Sequence, residues 1–186
     1  MQQIRAICEE SIRVKQSFLE QTSNIEKAAQ LIADSLRSGG KLLICGNGGS
    51  AADSQHISAE LLGRYKRERR ALPAIALSVD SSFLTAWSND YNYESVFSRQ
   101  VEALAKPGDI LLCISTSGNS KNVLKAAEQA KRQNCKSIAL TGGTGGALKE
   151  LCDISIIAPS KETARIQECH ILAYHAICEY IDEAFA

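Results

Sequence analysis

Charge excess of either sign is missing from this chain: Lys+Arg and Asp+Glu both total 21 in 186 residues, a formal net charge of zero. A general nucleic-acid binder needs a basic surplus to neutralise phosphates, so a nucleic-acid partner is not expected. Long apolar runs are missing too. None approaches the roughly 20 residues that cross a bilayer, and Met1-Gln-Gln-Ile-Arg5 has no apolar signal core. No membrane partner is expected. The seven cysteines (Cys8, Cys45, Cys113, Cys135, Cys152, Cys169 and Cys178) are odd in number and include no C-x-x-C. That reads as reduced, mostly buried thiols in a cytoplasmic protein. Repeats, low-complexity tracts and internal linkers are absent as well. One domain over 1–186 is therefore expected, long enough to bury roughly 70% of its unfolded surface. A neutral surface of this size also favours self-association.

What is present is an alternation of short aliphatic runs with helical patterns. Residues 4–38 read as two helices with a cap at Thr22-Ser23-Asn24, ended by Gly39-Gly40. Strands are predicted at 41–45, 73–77, 110–114, 137–140 and 154–158. Helices are predicted at 50–62, 81–87, 93–104, 122–133, 147–151 and 163–185. The pattern defines an α/β fold, a five-stranded parallel sheet flanked by helices, with 1–38 as a helical oligomerisation segment and 39–186 as the α/β core. Ligands of such sheets bind beyond the carboxyl ends of the strands.

Two loops fall at that edge. The run Ile110-Leu-Leu-Cys-Ile114 leads into Ser115-Thr-Ser-Gly-Asn-Ser120. Four hydroxyls and exposed N–H groups at the start of a helix suit a phosphate, and they exceed what an N-cap requires. The other loop, Gly46-Asn47-Gly48-Gly49-Ser50-Ala51, matches G-x-G-x-x-A. The dinucleotide reading of that match wants an acid about 20 residues on; the first acid after the second strand is Asp80. It also leaves the serine loop without a task. A second anion- or hydroxyl-binding loop is the more economical reading, with a nucleotide-dependent oxidoreductase as an alternative.

The three histidines lie on two helices. His56 and Glu60, four apart, share a helix face and could bind a metal or pair as a base and its orienter, although a plain surface pair has the same spacing. On the last helix, Gln167 and His175 are roughly 80° apart and His170 and His175 roughly 140°; geometry alone does not choose between the histidines. Arg64 is expected on the helix of His56 and Glu60, within reach of a ligand anion. It opens a run with five bases in seven residues, Arg64 to Arg70, that otherwise reads as a solvated helix exit. Asp90 is a polar candidate near the end of the second strand.

Taken together, Cys45-Gly-Asn-Gly-Gly-Ser-Ala-Ala-Asp-Ser-Gln-His56, Ser58-Ala-Glu-Leu-Leu-Gly-Arg-Tyr65, Asn89-Asp-Tyr91, Ser115 to Ser120 and Thr163-Ala-Arg-Ile-Gln-Glu-Cys-His170 resemble the phosphoheptose isomerase family of sugar isomerase (SIS) domain enzymes. The match runs in order over nearly the whole chain. The resemblance implies a flavodoxin-like three-layer sandwich and a homotetramer. It also implies conversion of sedoheptulose 7-phosphate to D-glycero-D-manno-heptose 7-phosphate, the first step toward ADP- or GDP-heptose precursors. Carried over by position, it implies Glu60 as general base and His175 as second acid/base, with a zinc ion in each subunit held by His56, Glu60, Gln167 and His175. Phosphate contacts fall on Ser115, Thr116, Ser117 and Ser120, and other substrate contacts on Asn47, Ser50, Arg64, Asp90 and Gln167. Ala164 stands where some members carry an acid. The DnaA initiator-associating protein, a non-catalytic relative of similar fold, lacks the counterparts of Glu60 and His175, so their presence here favours catalysis.

Overall fold

Strand β1 (Leu42–Gly46) and strand β3 (Ile110–Ile114) are buried at every position, which demands cover on both faces. A computed structural model, describing residues 2–186, supplies it. Five strands, including β2 (Ala74–Ala76), β4 (Lys136–Gly142) and β5 (Ile154–Ala158), form one parallel sheet in the order β2-β1-β3-β4-β5. Side chains alternate across it. Leu42, Ile44, Ile110, Leu112 and Ile114 point to one layer, with α1 (Gln2–Phe18), α2 (Thr22–Arg37), α3 (Gly49–Leu62) and α8 (Thr163–Phe185). Leu43, Cys45, Leu111 and Cys113 point to the other, with α5 (Val96–Leu104) and α6 (Lys121–Arg132). Helices α4 (Ser81–Asp90) and α7 (Leu148–Leu151) complete the chain. Every expected strand is present, and the three-layer architecture is the one expected. All seven thiols are free and only Cys8 is exposed. No helix among the described residues is long and apolar enough to cross a membrane.

Local departures have local causes. Thr22-Ser23-Asn24 do not cap α2: the chain runs from α1 through a 3-10 turn at Leu19–Gln21, and Thr22 is already helical. The Asn24 amide instead reaches the Ser155 carbonyl on β5 at 3.2 Å. Helix α4 continues to Asp90, capped at its start by Asp80, which accepts from the Phe83 N–H at 2.9 Å. Asp80 thus has a local task unrelated to a nucleotide ribose.

The basic run is more than a solvated helix exit: its exposed Lys66 and Arg67 and its buried Arg69 latch onto the acidic end of α8. Lys66 pairs with Glu179 at 2.8 Å, Arg67 with Glu183 at 3.2 Å and Arg69 with Asp182 at 2.7 Å. Arg70 lies over the Phe185 ring. The Arg69 and Asp182 side chains are buried. The guanidinium caps the end of α3 by donating to the carbonyls of Glu60 (2.7 Å), Leu61 (3.0 Å) and Gly63 (3.2 Å). Burial alone would raise the Asp182 carboxyl. The Arg67 and Lys66 N–H groups and the Arg69 guanidinium outweigh burial and hold it below the ordinary range.

His170, fully buried, has its Nε2 at 3.0 Å from the Thr141 carbonyl. Burial pushes its pKa from 6.5 down to about 4, against that hydrogen bond. Folding therefore requires the neutral ring. As pH falls from 6.5 towards 4, the unfolded chain takes up a proton that the folded chain refuses. About 3 kcal/mol of stability should disappear over that window. Denaturant titrations of wild type and His170→Gln check this: the variant should lose the step, and an equal step in both would refute it.

Candidate active site

The strand order reverses between β1 and β3, where α/β sheets open a crevice at their carboxyl edge. Both sequence-predicted loops meet there, because Gly46 pairs in register with Ile114. In the serine loop the Ser115 hydroxyl lies 2.9 Å from that of Ser120 and 3.5 Å from that of Ser117. Ser120 occupies the N-cap of α6 yet makes no capping hydrogen bond; its hydroxyl faces the loop interior. Thr116 is half-buried and Ser117 exposed. Gly118 has a left-handed backbone, with φ of 65°, and a methyl group there would overlap the Gly145 carbonyl. The loop is further pinned by Asn119, whose Oδ1 accepts from the Ala147 N–H at 3.0 Å and whose Nδ2 donates to the Ser117 carbonyl at 3.0 Å.

Across the crevice, Asn47 is locked to Asn122 of α6 by two amide hydrogen bonds of 2.9 and 2.8 Å, and accepts from the Tyr93 hydroxyl at 3.1 Å. Ser50 is buried against Gly46. Gln167 packs its amide on Gly49, where any larger residue would push that amide aside. Asn122 was not singled out from sequence. Its only signal was its place two residues beyond the serine loop.

A second cluster forms where α3 and α8 pack together. His56 Nε2 lies 3.0 Å from Glu60 Oε1, and His56 Nδ1 lies 3.0 Å from the Tyr174 hydroxyl. The His175 ring meets His56 edge-on at 5.1 Å and stacks on Tyr65 at 5.4 Å. Burial is the main force that lowers the His175 pKa, helped by the His56 and Lys66 charges and opposed by Glu60. That lowering favours the neutral ring, which keeps a lone pair. Burial, then the Asp53 charge and its hydrogen bond, keep the Tyr174 phenol protonated. Imidazole and carboxylate donors suit zinc. His56 and Glu60 already face one another and the His175 ring lies 5.1 Å from that of His56, so the residues present fit such an ion. Among the described residues, however, no three acidic, histidine or cysteine groups form a ready cage.

One expectation needs correction. Arg64 is not on α3: the helix stops at Leu62, its C-cap is Gly63, and the exposed Arg64 side chain pairs with Glu68 at 2.9 Å. Within one chain Gln167 stands apart from the other three proposed metal ligands, since its amide lies at Gly49 and His175 follows two turns later, about 12 Å along α8. Within one chain the serine loop and the Glu60–His175 pair are also apart. Helix α3 runs back from the carboxyl edge, so Glu60 lies about 16 Å along it from Gly49, near Ser58, which bonds the Ala74 carbonyl at the start of β2. Asp90 sits exposed at the end of α4, beside Asn89.

A switch-point crevice with a hydroxyl cradle defines the class: a family model described as SIS domain matches residues 8–142. Similarity narrows it. The phosphoheptose isomerase of a Nitratiruptor species is 57% identical over 162 residues, 87% of each chain. That of Aquifex aeolicus is 50% identical over 184 residues, 98% of this chain and 96% of the relative. Among solved structures, phosphoheptose isomerase GmhA from Neisseria gonorrhoeae superposes with a TM-score of 0.93 at 45% identity, covering 98% of both chains. One from Francisella tularensis gives 0.94 at 42%, covering 98% of this chain and 97% of that one. The chain belongs to the phosphoheptose isomerase family of SIS-domain proteins.

Proposed function

We propose that the protein interconverts sedoheptulose 7-phosphate and D-glycero-D-manno-heptose 7-phosphate in the cytoplasm, as the first step of heptose-precursor synthesis. The observation that carries this reading is the gathering of Glu60, His56 and His175 by two helices. They lie in a chain 57% identical to a phosphoheptose isomerase. Aldose–ketose exchange moves one proton between C1 and C2. Glu60 takes the carbon-bound proton and returns it to the neighbouring carbon, while His175 moves the proton between the two oxygens. A zinc ion held by His56, Glu60 and His175, with Gln167 by resemblance, would polarise the carbonyl when bound. Ser115, Thr116, Ser117 and Ser120 hold the phosphate, supplying binding energy remote from the reacting carbons.

The substrate carries its phosphate at the end of a seven-carbon chain opposite C1 and C2, which suits a cradle and a proton-transfer pair that are apart. Both belong to one site shared between copies of a homotetramer. Ile4, Ile7 and Ile12 on α1 and Leu172 on α8 are exposed apolar side chains suited to such contacts. The non-catalytic initiator-binding reading is disfavoured by the retained Glu60 and His175. Incubating the protein with sedoheptulose 7-phosphate, with and without chelator, tests the function: an aldose heptose 7-phosphate should accumulate, and no conversion in either condition would refute it. Replacing Ser117 and Ser120 by Ala should raise KM about tenfold or more, the loss of one or two charge-assisted hydrogen bonds, with little change in kcat. An unchanged KM would remove the phosphate from this loop.

A further inference from the structure

Tyr174 and Asp53 are unused by the chemistry above, yet they abut it. Tyr174 is 1% exposed, and its hydroxyl meets His56 Nδ1 at 3.0 Å and Asp53 Oδ1 at 3.5 Å. Asp53, His56 and Glu60 lie at i, i+3 and i+7 on α3, one stripe facing Tyr174. The result is a continuous line of polar atoms: Asp53 carboxylate, Tyr174 hydroxyl, His56 ring, Glu60 carboxylate. A buried aromatic with an apolar partner would pack as well; this one places its single polar atom between an acid and an imidazole.

The line has two consistent arrangements of its hydrogens. In one, Nε2–H of His56 donates to Glu60 and the Tyr174 hydroxyl donates to Nδ1. In the other, the ring proton sits on Nδ1 and donates to the Tyr174 oxygen, the hydroxyl turns to Asp53, and Nε2 is bare. A ligand nitrogen must be bare, and the partner of the other nitrogen fixes which one that is. We infer that Tyr174 and Asp53 are positioning residues that select the tautomer and orientation of His56: the Tyr174 hydroxyl, donating to Nδ1, holds Nε2–H on Glu60 in the metal-free protein, and Asp53, by accepting that hydroxyl instead, stabilises a bare Nε2 when a divalent cation is bound. The cation-bound half of this inference rests on the metal reading above; the metal-free half does not.

Nitrogen-15 spectra of the histidine rings and competition of zinc against a chromogenic chelator test it, in wild type, Tyr174→Phe, Asp53→Asn and the double variant. Tyr174→Phe keeps the ring that packs on His56 and His175 and removes only the hydroxyl. The metal-free wild type should show His56 protonated at Nε2 with a hydrogen-bonded Nδ1. In Tyr174→Phe the Nδ1 resonance should move to its unbonded position, while the His170 ring, buried elsewhere, stays unchanged and reports an intact fold. The zinc Kd should rise about 10–100-fold, as loss of an outer-shell partner does. Asp53→Asn should weaken zinc in the wild-type background and add nothing to Tyr174→Phe, because its effect passes through the hydroxyl. His56 resonances identical to wild type, an unchanged Kd, or fully additive losses would overturn the inference. A wild type that binds no zinc would overturn the metal reading instead, and the metal-free spectra would still decide the orienting role.

Discussion

Glu60→Gln should lower kcat by about 10²–10⁴-fold, the contribution of a positioned general base, while the affinity for a phosphate ester is unchanged. The amide keeps the shape of the side chain and can still accept from His56, now 3.0 Å from the carboxylate. What it cannot do is hold a proton taken from carbon. Within the chain the carboxyl-edge start of α3 lies about three turns from Glu60, and the serine loop is bonded to the Ala147 and Leu148 N–H groups rather than to Glu60. Inhibitor binding by a sugar phosphate and turnover, measured on the same preparation, should therefore separate. Parallel loss of both would assign Glu60 to binding and remove it from proton transfer.

Asp182→Ala should destabilise the fold by roughly 3–5 kcal/mol, because it strands the buried Arg69 guanidinium. A chain of this length should then melt on the order of 10 °C lower. The carboxylate also receives the Lys66 and Arg67 N–H groups at 2.6 and 2.9 Å, so the α3–β2 connection loosens with it. Replacing both partners by apolar residues of similar size should cost much less. The sign with pH follows from the lowered Asp182 carboxyl: its contribution is complete above the ordinary carboxylate range and lost as pH falls through the lowered value. Denaturant midpoints for the single and double variants check this. A single variant as stable as wild type would mean that the pair holds nothing.

The strands and both crevice loops were legible in the sequence because each rests on local chemistry. Aliphatic runs such as Ile110 to Ile114 cannot be left in water, and the glycines and serines after them interrupt the chain at fixed places. The spacing of His56 and Glu60 was legible for the same reason. Tertiary pairing was not. Tyr174 looks in sequence like any helix-core aromatic, and only the packing of α8 on α3 turns its hydroxyl towards His56 and Asp53. The basic run read as solvated because its partners Glu179, Asp182 and Glu183 lie more than a hundred positions away. Arg64 was misplaced because a helix-ending Gly63 was read through. The distance between Glu60 and the serine loop is set by the direction in which α3 leaves β1, which no local pattern encodes.

Subunit mixing tests the shared site most directly. Glu60→Gln chains and chains carrying Ser117→Ala with Ser120→Ala should each have little activity at low sedoheptulose 7-phosphate. Dissociated together and reassembled at equal amounts, they should recover activity at roughly a quarter of the sites, those pairing an intact loop with an intact carboxylate from another copy. Recovery no greater than the sum of the two parents would place cradle and base in the same chain and contradict the account.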